Sequence, residues 1–181
     1  MNDLTPAHLR DLSRNATLRP RDLAVQLGVP EAALIEAHLS HGAIRVDAVP
    51  GRLIPAVAAL GEVMALTRNA SCVIEKIGTY TDFHDGDHAA MTLNADIDLR
   101  MFPRHWVHAY AVELNGRRSV QVFDAAGDAV HKVHLRDASD AAAWGTLIQD
   151  LALTDQTGLS DFAPRAAVEG ARLQPDRADV L

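Results

Sequence analysis

The amino-acid sequence predicts an α+β domain in which helices precede an antiparallel sheet of six or more strands and a last helix packs on it. Three observations carry this expectation. Residues 94–136 contain four runs rich in β-branched and aromatic residues: Asn94–Pro103, His105–Glu113, Ser119–Asp124 and Ala129–Arg136. Pro103, Asn115-Gly116 and Gly127-Asp128 punctuate them, as in sequential strands joined by short turns. Within the runs the side chains alternate: Ile97, Leu99 and Met101 fall on one face, Asp98, Arg100 and Phe102 on the other. In the last run His131, Val133 and Leu135 oppose Lys132, His134 and Arg136. A period of two gives a sheet with one apolar and one charged face.

The flanking segments have helical punctuation. Thr5 suits an N-cap with Pro6 at the first helical position. Arg19–Gly28 reads as a second helix stopped by Gly28, and Pro30 opens a third that runs to about Leu39. Leu53, Val57, Leu60, Met64 and Leu66 recur near the 3.6 period, predicting a helix over Leu53–Thr67. Ser71–Tyr80 and Ala89–Leu93 alternate as two further strands around a polar turn, Thr81–His88. Asp137–Asp140 can cap a last helix from Ala141 to about Leu153, with Trp144, Leu147, Ile148 and Leu151 facing the core. From Thr154 the periodicity fades into linker composition, with a short helical hint at Arg165–Leu173.

The totals narrow the function classes. A chain of 181 residues with 48% hydrophobic and 23% charged residues suits one well-cored domain, burying about 70% of its unfolded surface. A net charge of −7 lacks the basic footprint of a nucleic-acid binder. The second and third helices resemble a helix-turn-helix, yet Glu31-Ala-Ala-Leu-Ile-Glu36 is acidic and alanine-rich where base-reading side chains are needed. No apolar run approaches the roughly 20 residues of a membrane span, and the polar start Met1-Asn-Asp-Leu has no secretory pattern. The expected location is the cytoplasm, with no membrane insertion and no nucleic acid. The single cysteine, Cys72, excludes an intrachain disulfide and reads as a buried, inert strand thiol.

Nine histidines invite a metal reading. His105 and His108, like His131 and His134, are three apart on predicted strands, which sends each pair to opposite sides. His38 and His41 could converge at a helix end, but without the zincin glutamate. His84, Asp85, Asp87 and His88 read as a solvated turn. There is no nucleophile elbow and no phosphate loop. What remains is the charged face with Arg100, Lys132, His134 and Arg136. Either it is solvated and laced with cross-strand ion pairs, or it lines a cleft for a flat, apolar, doubly anionic ligand. In such a cleft cations hold carboxylates and a neutral imidazole meets a metal. Heme is such a ligand.

Three blocks resemble the HemS/ChuS-type heme-utilisation proteins, also called hemin-degrading factors. They are Leu60-Gly-Glu-Val-Met-Ala-Leu-Thr-Arg-Asn69; Asp96-Ile-Asp-Leu-Arg-Met-Phe102 with His105-Trp-Val-His108; and Phe123-Asp-Ala-Ala-Gly-Asp-Ala-Val-His-Lys-Val133. The resemblance implies a HemS-like domain over residues 1–153 and a linker-like tail over 154–181. It covers one half of a family usually built from two tandem copies, and it is the N-terminal copy that this chain resembles. It implies heme as cofactor, for trafficking, storage or handover in iron acquisition, with a heme oxygenase as acceptor. It equally allows heme degradation, or a half that binds heme only with a second copy. Arg100 matches the arginine that the first copy supplies to the distal heme pocket. Lys132 and His134 match second-copy strand positions that point at heme, with His134 a substitute iron ligand. The family's main axial histidine stands in an Asp-Val-His-x-Phe-Phe segment opening the second copy. No such segment occurs in these residues. A related single-copy group pairs two chains, which implies homodimerisation through sheet edges. No catalytic residue follows from any of this.

Overall fold

The punctuation at the start of the chain does what its chemistry dictates. The computed structural model describes residues 4–69 and 71–165. Helix α1, Pro6–Asn15, is capped by Thr5, whose hydroxyl accepts from the His8 N–H at 3.3 Å. Helix α2, Pro20–Leu27, ends at Gly28 in the left-handed region, φ 67°. Helix α3, Glu31–Glu36, follows Pro30, and all six of its residues are buried. A helix buried on every side cannot read bases, so the helix-turn-helix likeness is a packing motif.

Strand β1 spans Ala43–Val46, a segment without a strand expectation. Helix α4, Pro50–Ala58, is shorter than expected. The chain turns at Gly61, φ 73°, and Val63–Arg68 is strand β2. The expected helix to Thr67 is therefore corrected. Val63 and Ala65 are buried while Met64 and Leu66 are half-buried, an alternation that the longer apolar stripe disguises as a helical period. Strand β3, Val73–Gly78, follows. The expected burial of Cys72 is also corrected, since the thiol is exposed on the β2–β3 turn. There the side chain of Asn69 accepts from the Ser71 and Cys72 N–H groups.

Strands β4, Phe83–His84, β5, Ala90–Thr92, and β6, Leu99–Met101, form a small antiparallel sheet in that order. A short 3-10 turn at Pro103–His105 leads into β7, His108–Leu114, β8, Arg117–Phe123, and β9, Ala129–Leu135. The large sheet runs β1-β7-β8-β9-β2-β3, antiparallel throughout. Helix α5, Ala141–Leu151, starts at Asp140, whose carboxylate accepts from Ala142 and Ala143 N–H. No helix among the described residues is long and apolar enough to cross a membrane.

The large sheet has two unlike faces. Val46, Ala109, Val120, Val122, Val133 and Val63 point into the main core. There α4 (Leu53, Ile54, Val57), α5 (Trp144, Leu147, Leu151) and the inner side of the small sheet (Ala90, Met101) meet them. This is the core face. The opposite face carries Ala43, Tyr110 and Val112 under Ala32 and Ile35 of α3, with Phe123 in the same cluster.

Residues 154–165 form no helix or strand, as their composition predicts, but they are docked. The side-chain amide of Gln156 accepts from Arg45 N–H at 2.8 Å and donates to its carbonyl at 2.9 Å. Leu153 N–H also donates to Arg45 O at 2.9 Å, so the β1 edge is closed. Phe162 packs against the α3 clusters and the β8–β9 turn. At Gly127 in that turn, φ 75°, a Cβ would lie 2.9 Å from Phe162 and 2.6 Å from Pro30. The helical hint over Arg165–Leu173 lies, beyond Arg165, outside the described residues.

His131 is sealed in the core. One ring nitrogen, Nε2, lies 2.6 Å from the Tyr80 hydroxyl, and Nδ1 lies 2.8 Å from the Thr67 hydroxyl. Trp106 stacks on it at 5.8 Å. Burial pushes its pKa from 6.5 down to about 4. Below pH 6.5 the unfolded chain takes a proton that the folded chain refuses until about pH 4. Stability contributed by this group is thus complete above 6.5 and is lost as pH falls through that window, by about 3 kcal/mol. Urea unfolding followed by tryptophan fluorescence should show that acid-side loss, and His131→Gln should flatten it. A wild-type midpoint constant from pH 6.5 to 4 would contradict the buried neutral imidazole.

Candidate functional site

The small sheet presents one face to the core and one to solvent. Ala90, Thr92 and Met101 are buried beneath it. The period of two therefore turns His84, Met91 and Arg100 outward, and the register sets them side by side, His84 opposite Met91 and Met91 opposite Arg100. The Arg100 guanidinium is about half exposed (53%) and donates to Asp98 at 2.6 Å. Phe102, next on the same side, is also exposed, and the ring of His88 meets it edge-on at 6.0 Å. His84 Nε2 lies 2.9 Å from the carboxylate of Asp82, a residue held at φ 52°. The result is a shallow outer face with a cation, an aromatic ring, a thioether and imidazoles.

Lys132 and His134 stand elsewhere, on the opposite face of the large sheet. Lys132 is buried: its ammonium donates to Glu31 at 2.6 Å and lies 5.6 Å over the Phe123 ring. Burial lowers its pKa, against which the Glu31 carboxylate pulls upward. Arg68 binds the other oxygen of Glu31 at 2.9 Å. His134 is half-buried between its register partners Met64 and Ser119. Its pKa is lowered, first by burial and then by Lys132, so the neutral imidazole with a free lone pair is favoured. Arg136 follows the strand and pairs with Glu62 at 3.2 Å.

The fold thus brings Lys132 and His134 onto one face but not to Arg100. The inner side of the small sheet packs into the main core beneath the core face, whereas Lys132 and His134 lie on the other side of the large sheet. One ligand cannot span that core within one chain. Of the histidine pairs, His131 and His134 do point to opposite sides, but His105 sits in the 3-10 turn rather than a strand. His38 is buried with Nε2 at 3.4 Å from Ser13, while the His41 ring contacts Arg10. Among the described residues no three metal-ligating side chains converge.

Sequence reasoning missed the buried polar groups that hold the framework. Glu36 accepts from Arg45 at 2.9 Å, Tyr110 at 2.8 Å, and both the N–H and hydroxyl of Ser160 at 2.6 Å. Arg45 in turn donates to the Thr157 and Gly158 carbonyls at 2.8 and 2.9 Å. The available signal was Glu31 and Glu36 bracketing Ala-Ala-Leu-Ile, two acids at the ends of an otherwise apolar helix.

Comparison with known proteins bears on the ligand. The family model described as the haemin-degrading HemS.ChuX domain matches residues 28–151. The hemin transport protein HemS of Yersinia enterocolitica is 38% identical over 140 residues, 75% of this chain and 41% of HemS. The crystal structure of holo-PhuS, a heme-binding protein from Pseudomonas aeruginosa, superposes with TM-score 0.87 at 34% identity. That match covers 97% of this chain and 54% of PhuS. ChuS, described as an Escherichia coli heme oxygenase, superposes with TM-score 0.77 at 30% identity, over 88% of this chain and 50% of ChuS. The chain spans less than half the length of the curated relatives it matches.

The two sets of cations should separate in mutagenesis. Lys132→Ala should cost about 3 kcal/mol of stability, the low end for a broken buried pair because Arg68 still faces Glu31. Arg100→Ala should stay within about 0.5 kcal/mol of wild type, as an exposed substitution. Chemical denaturation of both variants checks this, and a large loss in Arg100→Ala would assign that residue a structural role.

Proposed function

The chain belongs to the HemS/ChuX haemin-degrading domain family, and on that premise we propose that it binds heme for storage or handover in cytoplasmic iron acquisition. The observation that carries this reading is the outer face of the small sheet. Arg100 stands there with Asp98 as its ion-pair partner among the described residues, beside exposed Phe102 and half-buried Met91. A guanidinium on the same face as apolar and aromatic side chains suits a flat ring that bears carboxylates. The donor set therefore fits heme. When bound, heme supplies redox-active iron, and the chain supplies the surface, the orientation and the cation.

Lys132 and His134 enter this reading differently. Because they lie across the core from Arg100, they serve a heme held by Arg100 of another HemS-like half, either a second domain or a second copy of this chain. Strand β3 is where such a half would join. Among the described residues it ends the sheet, and Val73, Ile74 and Ile77 are 51%, 65% and 44% exposed. Exposed apolar side chains on an edge strand invite pairing, although Glu75 and Lys76 interrupt them here. Lys132 reaches a ligand only if its ion pair with Glu31 opens, so His134 is the readier donor of the two. A heme oxygenase remains the acceptor implied by family resemblance. Heme degradation is the second reading, favoured by the likeness to ChuS; in it the heme itself activates oxygen and the protein supplies the pocket.

Titration of the protein with hemin tests the reading. A Soret band saturating at one heme per chain or per pair of chains is expected. Loss of a charge-assisted bond in Arg100→Ala should weaken affinity at least about tenfold. A wild-type protein with no saturable spectral change would sink it. Heme loss on adding ascorbate in the presence of catalase would favour degradation over handover. Light scattering with Ile77→Lys reports whether the β3 edge pairs: a wild-type dimer should become monomeric.

A further inference from the structure

The fold separates the nine histidines, and that separation bears on which of them can reach iron when Arg100 holds the ligand. His8 lies on α1, and His38 and His41 belong with the N-terminal helices, against Ser13 and Arg10. His108 and His134 lie on the opposite face of the large sheet, across the core from Arg100. His131 has both nitrogens engaged in the core. His105 accepts from the Arg104 guanidinium through Nε2 at 3.0 Å, which places its own proton on Nδ1 and leaves no free lone pair. On the outer face of the small sheet stand His84 and His88, and His88 presents its ring to Phe102.

His84 is different. It lies in register with Arg100, one strand away on either side of Met91. Two strand spacings separate them, about 10 Å, comparable with the breadth of a porphyrin. Its Nε2 faces the Asp82 carboxylate at 2.9 Å. A carboxylate only accepts, so Nε2 carries the proton and the neutral ring keeps its lone pair on Nδ1. An imidazole whose second nitrogen donates to a carboxylate is the arrangement that orients metal-binding histidines and raises their basicity. Asp82 reaches that position through a left-handed backbone, φ 52°, unusual for a residue with a side chain.

We infer that His84, oriented by Asp82, is an iron ligand that this chain itself offers to a heme whose carboxylate is held by Arg100. The inference rests on the heme-binding reading above. It makes the outer face of the small sheet a ligand surface that engages heme without His134. Asp82 acts through His84 and is a positioning residue.

The test uses the ferric hemin complex of the full chain, with absorption and electron paramagnetic resonance spectra as readouts. Wild type should show a histidine-ligated spectrum. His84→Gly should lose it, and added imidazole should restore it. Asp82→Asn should keep the spectrum while weakening hemin binding about tenfold or more. His8→Ala, on helix α1, should leave the spectrum unchanged. Saturable binding with a spectrum unaltered in His84→Gly, or altered in His8→Ala, overturns the ligand assignment while the heme reading stands. Absence of saturable binding in wild type overturns both.

Discussion

Two carboxylates on one short helix organise this molecule. Glu31 and Glu36, at the two ends of α3, reach cations on widely spaced strands of the large sheet. Glu31 takes Lys132 of β9 and Arg68 of β2; Glu36 takes Arg45 of β1 and the Tyr110 hydroxyl. Buried charges persist only when paired and hydrogen-bonded, so each pairing fixes one end of the helix. Between them Ala32 and Ile35 pack on Tyr110 and Val112. The N-terminal helices therefore cannot slide on the sheet without unpairing a buried ion. The same Glu36 and Arg45 also hold the chain after α5, through Ser160 and the carbonyls of Thr157 and Gly158.

From that anchoring follows the distribution of polar groups. On the polar side of the large sheet Lys132, Arg68 and Arg45 are neutralised by α3 and withdrawn from solvent, while Arg136 stays exposed and pairs with Glu62. The proposed ligand face is the outer side of the small sheet, where Arg100, Phe102, Met91 and His84 lie. The sheet edges are unequal for a related reason. Gln156 satisfies the β1 backbone at Arg45, whereas β3 ends the sheet among the described residues and exposes Val73, Ile74 and Ile77.

Much of the architecture could be read from local chemistry. Thr5, Gly28 and Asp140 cap the helices they were expected to cap, because a cap needs only its own turn of backbone. The alternation of residues 129–135 assigned His131 to the core and Lys132 to the other side correctly, since strand geometry leaves a side chain two directions only. The misread stretch was Leu53–Thr67, where a helix stop at Gly61 lay inside an apolar run that fits either period. Cys72 was misjudged because apolar neighbours on an edge strand do not imply burial: an edge has no neighbour to bury them.

The family and the fold class were legible in residues 60–69, 96–108 and 123–133, for those blocks encode strand, turn and cap within a few residues of one another. Which charges face a ligand was not. Lys132 lies 101 positions from Glu31 in the chain, and nothing in the alternation of β9 says that a helix will lie over it. Likewise Arg100 and His134 look equivalent on their strands, and only the packing of the small sheet under the core face sets them on opposite sides of the molecule. Period and capping are properties of neighbouring residues; the partner of a buried charge is a property of the whole folded chain.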